Sequence, residues 1–369
     1  MTLRKAAPAL ADLTPYDPRY LPARIYLNAN ENPNPMPPVV VEALKEALDK
    51  ISGPLGFNRY PDPLANNLRQ YLAEAFELET GHRISYQQIL FGNGGDELIF
   101  DLVLAWGGAG RKLLIAPPCF SSYQISADLT ATEIVKVSRK GDMTIDEAAV
   151  LDRLAKGDID LVMLGSPNNP TGECLRSGFV RQVLQACDAL VLIDQAYVQF
   201  SEPECDLRPL LAEYDNLVVL QTLSKAWGLA GLRLGLVYAA EQVIDELLKV
   251  RQAYSVDSFS VLAAQAVFDN WQLYVPMMVE IVEERKRLLV RLEGISGLEV
   301  FASEANFVLL RLKDAARIWQ RLYDDFGILI RDFSSSEGLS GCLRVTVGRP
   351  EQNDELVAAL SSLMAESES

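Results

Sequence analysis

Three short apolar runs in the middle of this 369-residue chain each end in a cluster of reactive or anion-binding side chains. LVMLG is followed by SPNNPTG, LVLID by QAYVQF, and LVVLQ by TLSKAWGLAGLRLG. They deliver Asn169, then Asp194 and Tyr197, then Thr222, Ser224, Lys225 and Arg233. Asp194 closes a nearly continuous apolar run, so its carboxylate is expected to be partly buried and to need a cation or strong hydrogen-bond donors. A lysine one strand later can be tuned to act as a nucleophile through a Schiff base. Thr222, Ser224 and Arg233 surround it with hydroxyls and a guanidinium fork, a set that suits a phosphate. Gly94, Gly95 and Asp96 stand where a strand turns into a helix and present free N–H groups to an anion. A phosphate, an aldehyde-accepting lysine and a carboxylate for a ring nitrogen together describe pyridoxal 5′-phosphate as the cofactor.

The elements that must position these residues are legible as alternation. KLLIAPP, EIVKVS, LVMLGSP, LVLIDQ, LVVLQTLS and LGLVYAA are short Val/Leu/Ile-rich runs. Helical patterns such as SGFVRQVLQACDA separate several of them, the signature of a mainly parallel sheet covered on both faces. Ligands of such sheets bind beyond the C-terminal strand ends. The first thirty-odd residues read as Pro-rich and irregular. After residue 240 the pattern becomes α+β: helices over AEQVIDELLKVRQ and WQLYVPMMVEIVEERKRLLVRLEGI, strands over LEVFASEANFVLLRL, GILIRDF and CLRVTVG, and a closing helix PEQNDELVAALSSLMAE.

Composition removes several function classes. Hydrophobic residues at 49% and charged residues at 23% fit a globular protein. A net charge of −16 opposes nucleic-acid binding, which needs a basic face. No GxGxxG or P-loop pattern supports a nucleotide site. The only histidine, His82, lies in a polar stretch and is expected at the surface, so a Ser-His-Asp or Cys-His mechanism has no base. Five cysteines without a CxxC exclude a paired zinc site and are expected to be buried free thiols. No signal peptide or membrane-length apolar run is seen, so the chain is expected to be cytoplasmic.

SPNNPTG, DQAY and TLSKAWGLAGLRLG resemble the fold-type I pyridoxal-phosphate aminotransferases of class I/II. LNANENP, RYPD, GNGGDEL, ANFVLLR and LRVTVGRPEQN are similar to the histidinol-phosphate aminotransferase family, over about residue 14 to the C-terminus. The resemblance implies an α/β fold-type I architecture, with a large mainly parallel seven-stranded-type sheet domain over 34–265. A smaller α+β domain would comprise 1–33, as an N-terminal arm, plus 266–369. It further implies that Lys225 forms the Schiff base and moves the proton at the substrate Cα, and that Asp194 keeps the ring nitrogen protonated. Asn169 and Tyr197 would bond the phenolic oxygen, and Phe120 would stack on the ring. Gly94, Gly95, Asp96, Thr222, Ser224 and Arg233 would hold the phosphate, and Tyr60 would reach the phosphate of the neighbouring subunit of a homodimer. Asn30 and Arg344 match groups that bind an α-carboxylate, and Tyr16, Tyr254 and Arg331 match groups that contact the substrate's own phosphate. Histidinol phosphate carries a hydroxymethyl-phosphate where an amino acid carries its carboxylate, which places Arg344 to meet the phosphate end of one substrate and the carboxylate of the other.

The implied reaction is transamination of histidinol phosphate with 2-oxoglutarate and glutamate, a step of histidine biosynthesis. Aromatic amino-acid transamination and threonine-phosphate decarboxylation on the same scaffold are its rivals. A transcription regulator of this fold would need a DNA-binding extension, and fewer than thirty residues precede LNANENP. Three departures from the family pattern are Gln195, where an acidic residue often follows the aspartate, Gly95 in place of serine, and Pro35 in place of glycine. They bear on tuning and substrate choice rather than on reaction type.

Overall fold

The structure is a computed structural model that describes residues 21–51, 56 and 58–368. Two sheets organise it. The larger has the order β2-β8-β7-β6-β5-β3-β4, formed by β2 (Ile89–Asn93), β3 (Lys112–Ile115), β4 (Glu133–Lys136), β5 (Leu161–Gly165), β6 (Leu190–Asp194), β7 (Leu217–Thr222) and β8 (Leu234–Ala239). The β3, β4, β5, β6 and β7 pairings are parallel, and β8 runs antiparallel to both β7 and β2. Every residue of β5, β6, β7 and β8 is buried, as an apolar run covered on both faces requires.

Alternate residues feed two cores, because side chains along a strand point to opposite faces. Leu113, Ile115, Leu161, Met163, Leu190, Leu192, Val218 and Leu220 pack beneath α3 (Gly94–Trp106), α4 (Ser121–Thr130) and α7 (Glu241–Val250). Leu114, Val162, Leu164, Val191, Ile193 and Val219 join the other core with α6 (Ser177–Ala186) and the smaller sheet. Asp146 caps α5 (Glu147–Leu154) by accepting from Ala149 N at 3.1 Å. Asp257 does the same at α8 (Ser258–Phe268), accepting from Phe259 N and Ser260 N.

The smaller sheet has the order β1-β11-β12-β10-β9, formed by β1 (Ile25–Leu27), β9 (Glu299–Val300), β10 (Phe307–Arg311), β11 (Ile328–Asp332) and β12 (Cys342–Thr346). The helices α9 (Val275–Glu293), α10 (Ala315–Phe326) and α11 (Pro350–Glu368) accompany it, and α1 (Pro38–Ile51) and α2 (Asn66–Thr80) lie earlier in the chain.

Three expectations are corrected here. Ile25–Leu27, read as irregular, is a strand that pairs in parallel with Ile328–Ile330; its partner lies some three hundred residues away, which no local pattern reveals. The helix expected from Trp271 begins at Val275, after a separate 3-10 turn over Trp271–Leu273, with Pro276 in its first turn, where its missing N–H costs nothing. The five cysteines are free, but only Cys342 is buried; the others sit on loops or helix ends with partial exposure. His82 is exposed, as expected. Among the described residues no helix is long and apolar enough to cross a membrane.

One close approach ties the sheet to the turn before α3. A Cβ on Gly235 of β8 would lie 2.6 Å from Gly94 C and Gly95 N. Gly235→Ala is therefore expected to push β8 from the GNGG turn and lower stability by ~1–3 kcal/mol, the usual cost of overpacking. Urea denaturation checks this; an unchanged midpoint would show that the turn yields freely.

Candidate active site

Beyond the C-terminal ends of β5, β6 and β7 lies a cavity of about 490 Å³. Asn169, Asp194, Tyr197, Thr222, Ser224, Lys225 and Arg233 line it together, and Arg331 and Arg344 of the smaller sheet, with Phe333 just after β11, also contribute to its wall. Side chains from three separate strand ends thus meet in one chamber.

Asp194 ends β6 and is only 8% exposed. Among the described residues no cation lies within hydrogen-bond range of it. The Tyr123 hydroxyl donates to Oδ2 at 2.8 Å and the Ala196 amide donates to Oδ1 at 3.1 Å. Burial pushes its pKa up to about 6, with those two donors and Lys225 opposing the rise and Asp96 adding to it. Lys225 Nζ donates to the Ala29 carbonyl at 2.9 Å. Its accessible surface faces the cavity, so it is half-buried yet enclosed by protein. Burial, reinforced by Arg344 and Arg233, lowers its pKa to about 8 against the pull of Glu31 and Asp96.

A corner of hydroxyls and a guanidinium, of a chemistry that suits an anion, forms beside Lys225. Ser224 N donates to Thr222 Oγ1 at 3.1 Å, and the two hydroxyls lie 3.0 Å apart. Arg233 adopts φ 50° and donates from Nη2 to Asp96 Oδ2 at 3.1 Å. Ser122 Oγ donates to the other Asp96 oxygen at 3.0 Å. The side chain of Asn93, the N-cap of α3, makes no capping bond, so among the described residues the first amides of the helix keep their donor capacity. Gly95 and Asp96 line the cavity, whereas Gly94 does not. Gly94 instead lies against Arg233: with φ +79°, its missing Cβ would stand 2.7 Å from Nη2. Its role in the corner is to let the guanidinium approach.

On the opposite wall, Arg331 and Arg344 are directly opposed partners across the antiparallel β11/β12 pair. Both guanidiniums lie 5.6 Å from the Phe333 ring centre. Arg344 donates to Asn169 Oδ1 at 2.5 Å and to the Asn28 carbonyl at 2.7 Å. Asn30, expected to meet a carboxylate, lines the cavity but commits its amide within the protein. Nδ2 donates to the Tyr197 hydroxyl at 3.0 Å and Oδ1 accepts from Thr346 at 3.2 Å. It orients Tyr197, whose ring meets Phe307 edge-on and whose pKa burial pushes up to about 12. Phe120 walls the chamber and meets Tyr123 edge-on at 5.9 Å.

Three expected residues stand apart. Tyr60 and Tyr254 stack on each other at 4.4 Å, 81% and 42% exposed, and neither lines the cavity. Tyr16 lies outside the described residues. Conversely, sequence reasoning missed Tyr123, Ser122 and Phe333. The available signal for Tyr123 was its place three residues after Phe120 at the start of a helix, which puts both on one face.

The Aminotransferase class I and II family model matches residues 23–360. Histidinol-phosphate aminotransferase 1 of Carboxydothermus hydrogenoformans is 39% identical over 96% of this chain and 97% of its own length. The chain belongs to the histidinol-phosphate aminotransferase family, within the class I and II aminotransferases. The PLP-bound histidinol-phosphate aminotransferase of Sinorhizobium meliloti shares the aminotransferase's fold with a TM-score of 0.87 at 24% identity, covering 99% of both chains. The L-threonine-O-3-phosphate decarboxylase of Porphyromonas gingivalis also shares it, with a TM-score of 0.79 at 24% identity over 92% of this chain and 99% of that one. Fold alone therefore does not separate the two chemistries.

The aminotransferase's buried carboxylate makes a signed prediction for the ligand-free protein. Asp194 has a native pKa raised from 3.8 to about 6. Below pH 3.8 the group is neutral folded or unfolded and costs nothing; as pH rises through about 6 the folded state must carry a buried charge and loses stability. Asp194→Asn keeps an acceptor for Ala196 N and never ionises. The ligand-free variant should be more stable than wild type at pH 8 by ~1–3 kcal/mol, with the gap closing near pH 4. Denaturant titrations at the two pH values check this, and a pH-independent gap would show that the carboxylate is not strained by burial.

Proposed function

We propose that this enzyme transfers the amino group of histidinol phosphate to 2-oxoglutarate, forming glutamate, with pyridoxal 5′-phosphate as cofactor. The observation that carries the reading is the pair Arg331 and Arg344, opposed on β11 and β12 and lining the same cavity as Lys225 and Asp194. One wall thus offers two guanidiniums to an anionic substrate, and the other offers an amine and a carboxylate to a ring. The names of the C. hydrogenoformans relative and the PLP-bound S. meliloti structure support substrate and cofactor alike.

The residues present fit the cofactor. Thr222, Ser224, Arg233 and the uncapped amides of α3 suit its phosphate, Asp194 suits its ring nitrogen, and Phe120 offers a flat wall. Bound there, pyridoxal phosphate supplies an aldehyde that captures amines and a protonated ring that takes up the electron pair released at the substrate Cα. Lys225, with a pKa lowered to about 8, is substantially neutral at mildly alkaline pH, so Nζ would be free to bond the aldehyde and to take a proton from the substrate carbon and return it. Asp194 would pair with the ring nitrogen and hold its proton, and Tyr123 and the Ala196 amide fix the two carboxylate oxygens in place for that role. Tyr197, fixed by Asn30, and Asn169, tied to Arg344, present hydrogen-bonding groups beside Lys225. Arg344 meets the carboxylate of glutamate or the phosphate end of the other substrate, and Arg331 reads the phosphate.

An amine-donor assay with histidinol phosphate, phenylalanine and threonine phosphate tests the substrate. Turnover should be highest with histidinol phosphate, and threonine phosphate should release no carbon dioxide. Arg331→Ala should cost roughly 10- to 100-fold in kcat/KM for histidinol phosphate, since a charge-assisted bond is worth ~1.5–3 kcal/mol. Glutamate should suffer less; equal losses for both would refute the phosphate-reading role.

The reading extends to a homodimer in the cytoplasm, with 34–265 as the cofactor-holding unit and 1–33 plus 266–369 as the smaller one. Tyr60 supports the dimer: it projects into solvent on a stacked partner, Tyr254, outside its own subunit's cavity, so it is available to a neighbour's site. A C2 dimer makes such an exchange reciprocal. Mixing an inactive Tyr60 variant with an inactive Lys225 variant should then restore part of the activity, because each mixed dimer carries one intact site; no recovery would count against shared sites.

A further inference from the structure

One buried guanidinium binds together the segments that leave β3, β4 and β5. These strands are parallel neighbours, so all three segments start from the same rim. Arg139 stands just beyond β4, and its side chain is only 1% exposed. Its backbone N–H donates to the Pro117 carbonyl at 3.0 Å, and Nε donates to the Ala116 carbonyl at 3.2 Å, in the stretch that leads from β3 to Phe120. Nη1 donates to the Met143 carbonyl at 3.2 Å and pairs with the Glu173 carboxylate. Glu173 closes the loop after β5. Its carbonyl accepts from Asn168 N at 2.8 Å, and its side-chain Oε1 accepts from Ile145 N at 3.0 Å. Asn168 Nδ2 adds a bond to the Pro118 carbonyl at 3.1 Å. Asn169 lies inside the loop so closed. Neither Arg139 nor Glu173 lines the cavity.

We propose that Arg139 and Glu173 are positioning residues for the amine transfer, a buried pair that fixes the loop after β5 so that Asn169 presents its amide to the cofactor. The proposal rests on the cofactor-binding role given to Asn169 above. Asn169 lines the cavity, and its Oδ1 accepts from Arg344 Nη1. With the oxygen so held, the amide group left to face a ligand is Nδ2, which can only donate. The phenolic oxygen of pyridoxal phosphate is an acceptor for it. Arg344 sets how the amide turns; Glu173 and Arg139 hold the backbone that carries it from behind.

The pair has the chemistry of a fixed joint. A guanidinium carries its donors in a rigid plane, so one side chain reaches acceptors on all three segments: Ala116, Met143 and Glu173. Removing one partner leaves the other buried without its counter-charge, so cutting the pair lowers stability whatever its role. Position is read separately. A donor at the phenolic oxygen offsets that oxygen's negative charge, and a weaker negative neighbour lets the Lys225 nitrogen release its proton at lower pH. The pH at which the visible absorbance of the bound cofactor changes therefore reports whether Asn169 is in place.

The test is a spectrophotometric pH titration of the full-length enzyme with cofactor bound. Asn169→Ala should raise the midpoint of the absorbance change by about 0.4–1 pH unit, the loss of one hydrogen bond. Glu173→Ala should raise it in the same direction, and the same change made in the Asn169→Ala background should add nothing, because both act through one amide. Glu173→Gln keeps an oxygen for Ile145 or Arg139 without the charge; it should also raise the midpoint, and it serves if the alanine variant does not fold. A midpoint unmoved in the Glu173 variants, or a Glu173→Ala shift that persists in full without Asn169, would overturn the proposal. A midpoint unmoved by Asn169→Ala itself would overturn the role given to Asn169, and this inference with it.

Discussion

A carboxylate carried into the interior by an apolar strand is costly unless something compensates for its lost water, and much of this site's layout answers that constraint. Asp194 sits at the end of β6 because LVLID continues a fully buried run into its last residue. The compensation comes from neutral donors: a tyrosine hydroxyl on α4 and a backbone amide two residues on. Two dipoles leave the group strained towards its neutral form, which favours a cationic partner such as a protonated ring nitrogen. The same cavity strains Lys225 towards its own neutral form, by burial and by the two arginines near it. An acid and an amine, both held away from their ordinary ionisation, face one space, an arrangement that marks functional sites.

The two sheets divide the work. Parallel strands bring chain segments distant in sequence to one rim, so that residues 169, 194 and 225 become neighbours. The smaller sheet supplies a wall with two guanidiniums, where the antiparallel register places Arg331 opposite Arg344. The chain between them is also used: Asn28 and Ala29, just after β1, give their carbonyls to Arg344 and Lys225. A three-residue strand thus fixes two of the charged groups in the cavity.

Much of this was legible in the sequence because strand ends announce themselves. Apolar runs broken by SPNNPTG, DQAY and TLSK place their polar residues at one rim by the rules of parallel sheets, and the lysine segment is specific. What was not legible depended on distance or on weak periodicity. The pairing of β1 with β11 joins the two ends of the chain. The α4 segment SSYQISADLT carries little apolar signal, so the helix and the Tyr123 that supports Asp194 went unread. Gly94, read as presenting its N–H to an anion, and Asn30, assigned to a carboxylate by resemblance, instead pack against Arg233 and Tyr197.

The central claim is that the cavity between these walls holds pyridoxal phosphate with Lys225 as its covalent partner. Borohydride reduction of the cofactor-loaded protein, followed by peptide mapping, tests it most directly. The account predicts one stable pyridoxyl label per chain, on the fragment that carries Lys225, and none in Lys225→Ala. A label on another lysine of the wild-type protein, or no label at saturating cofactor, would contradict it.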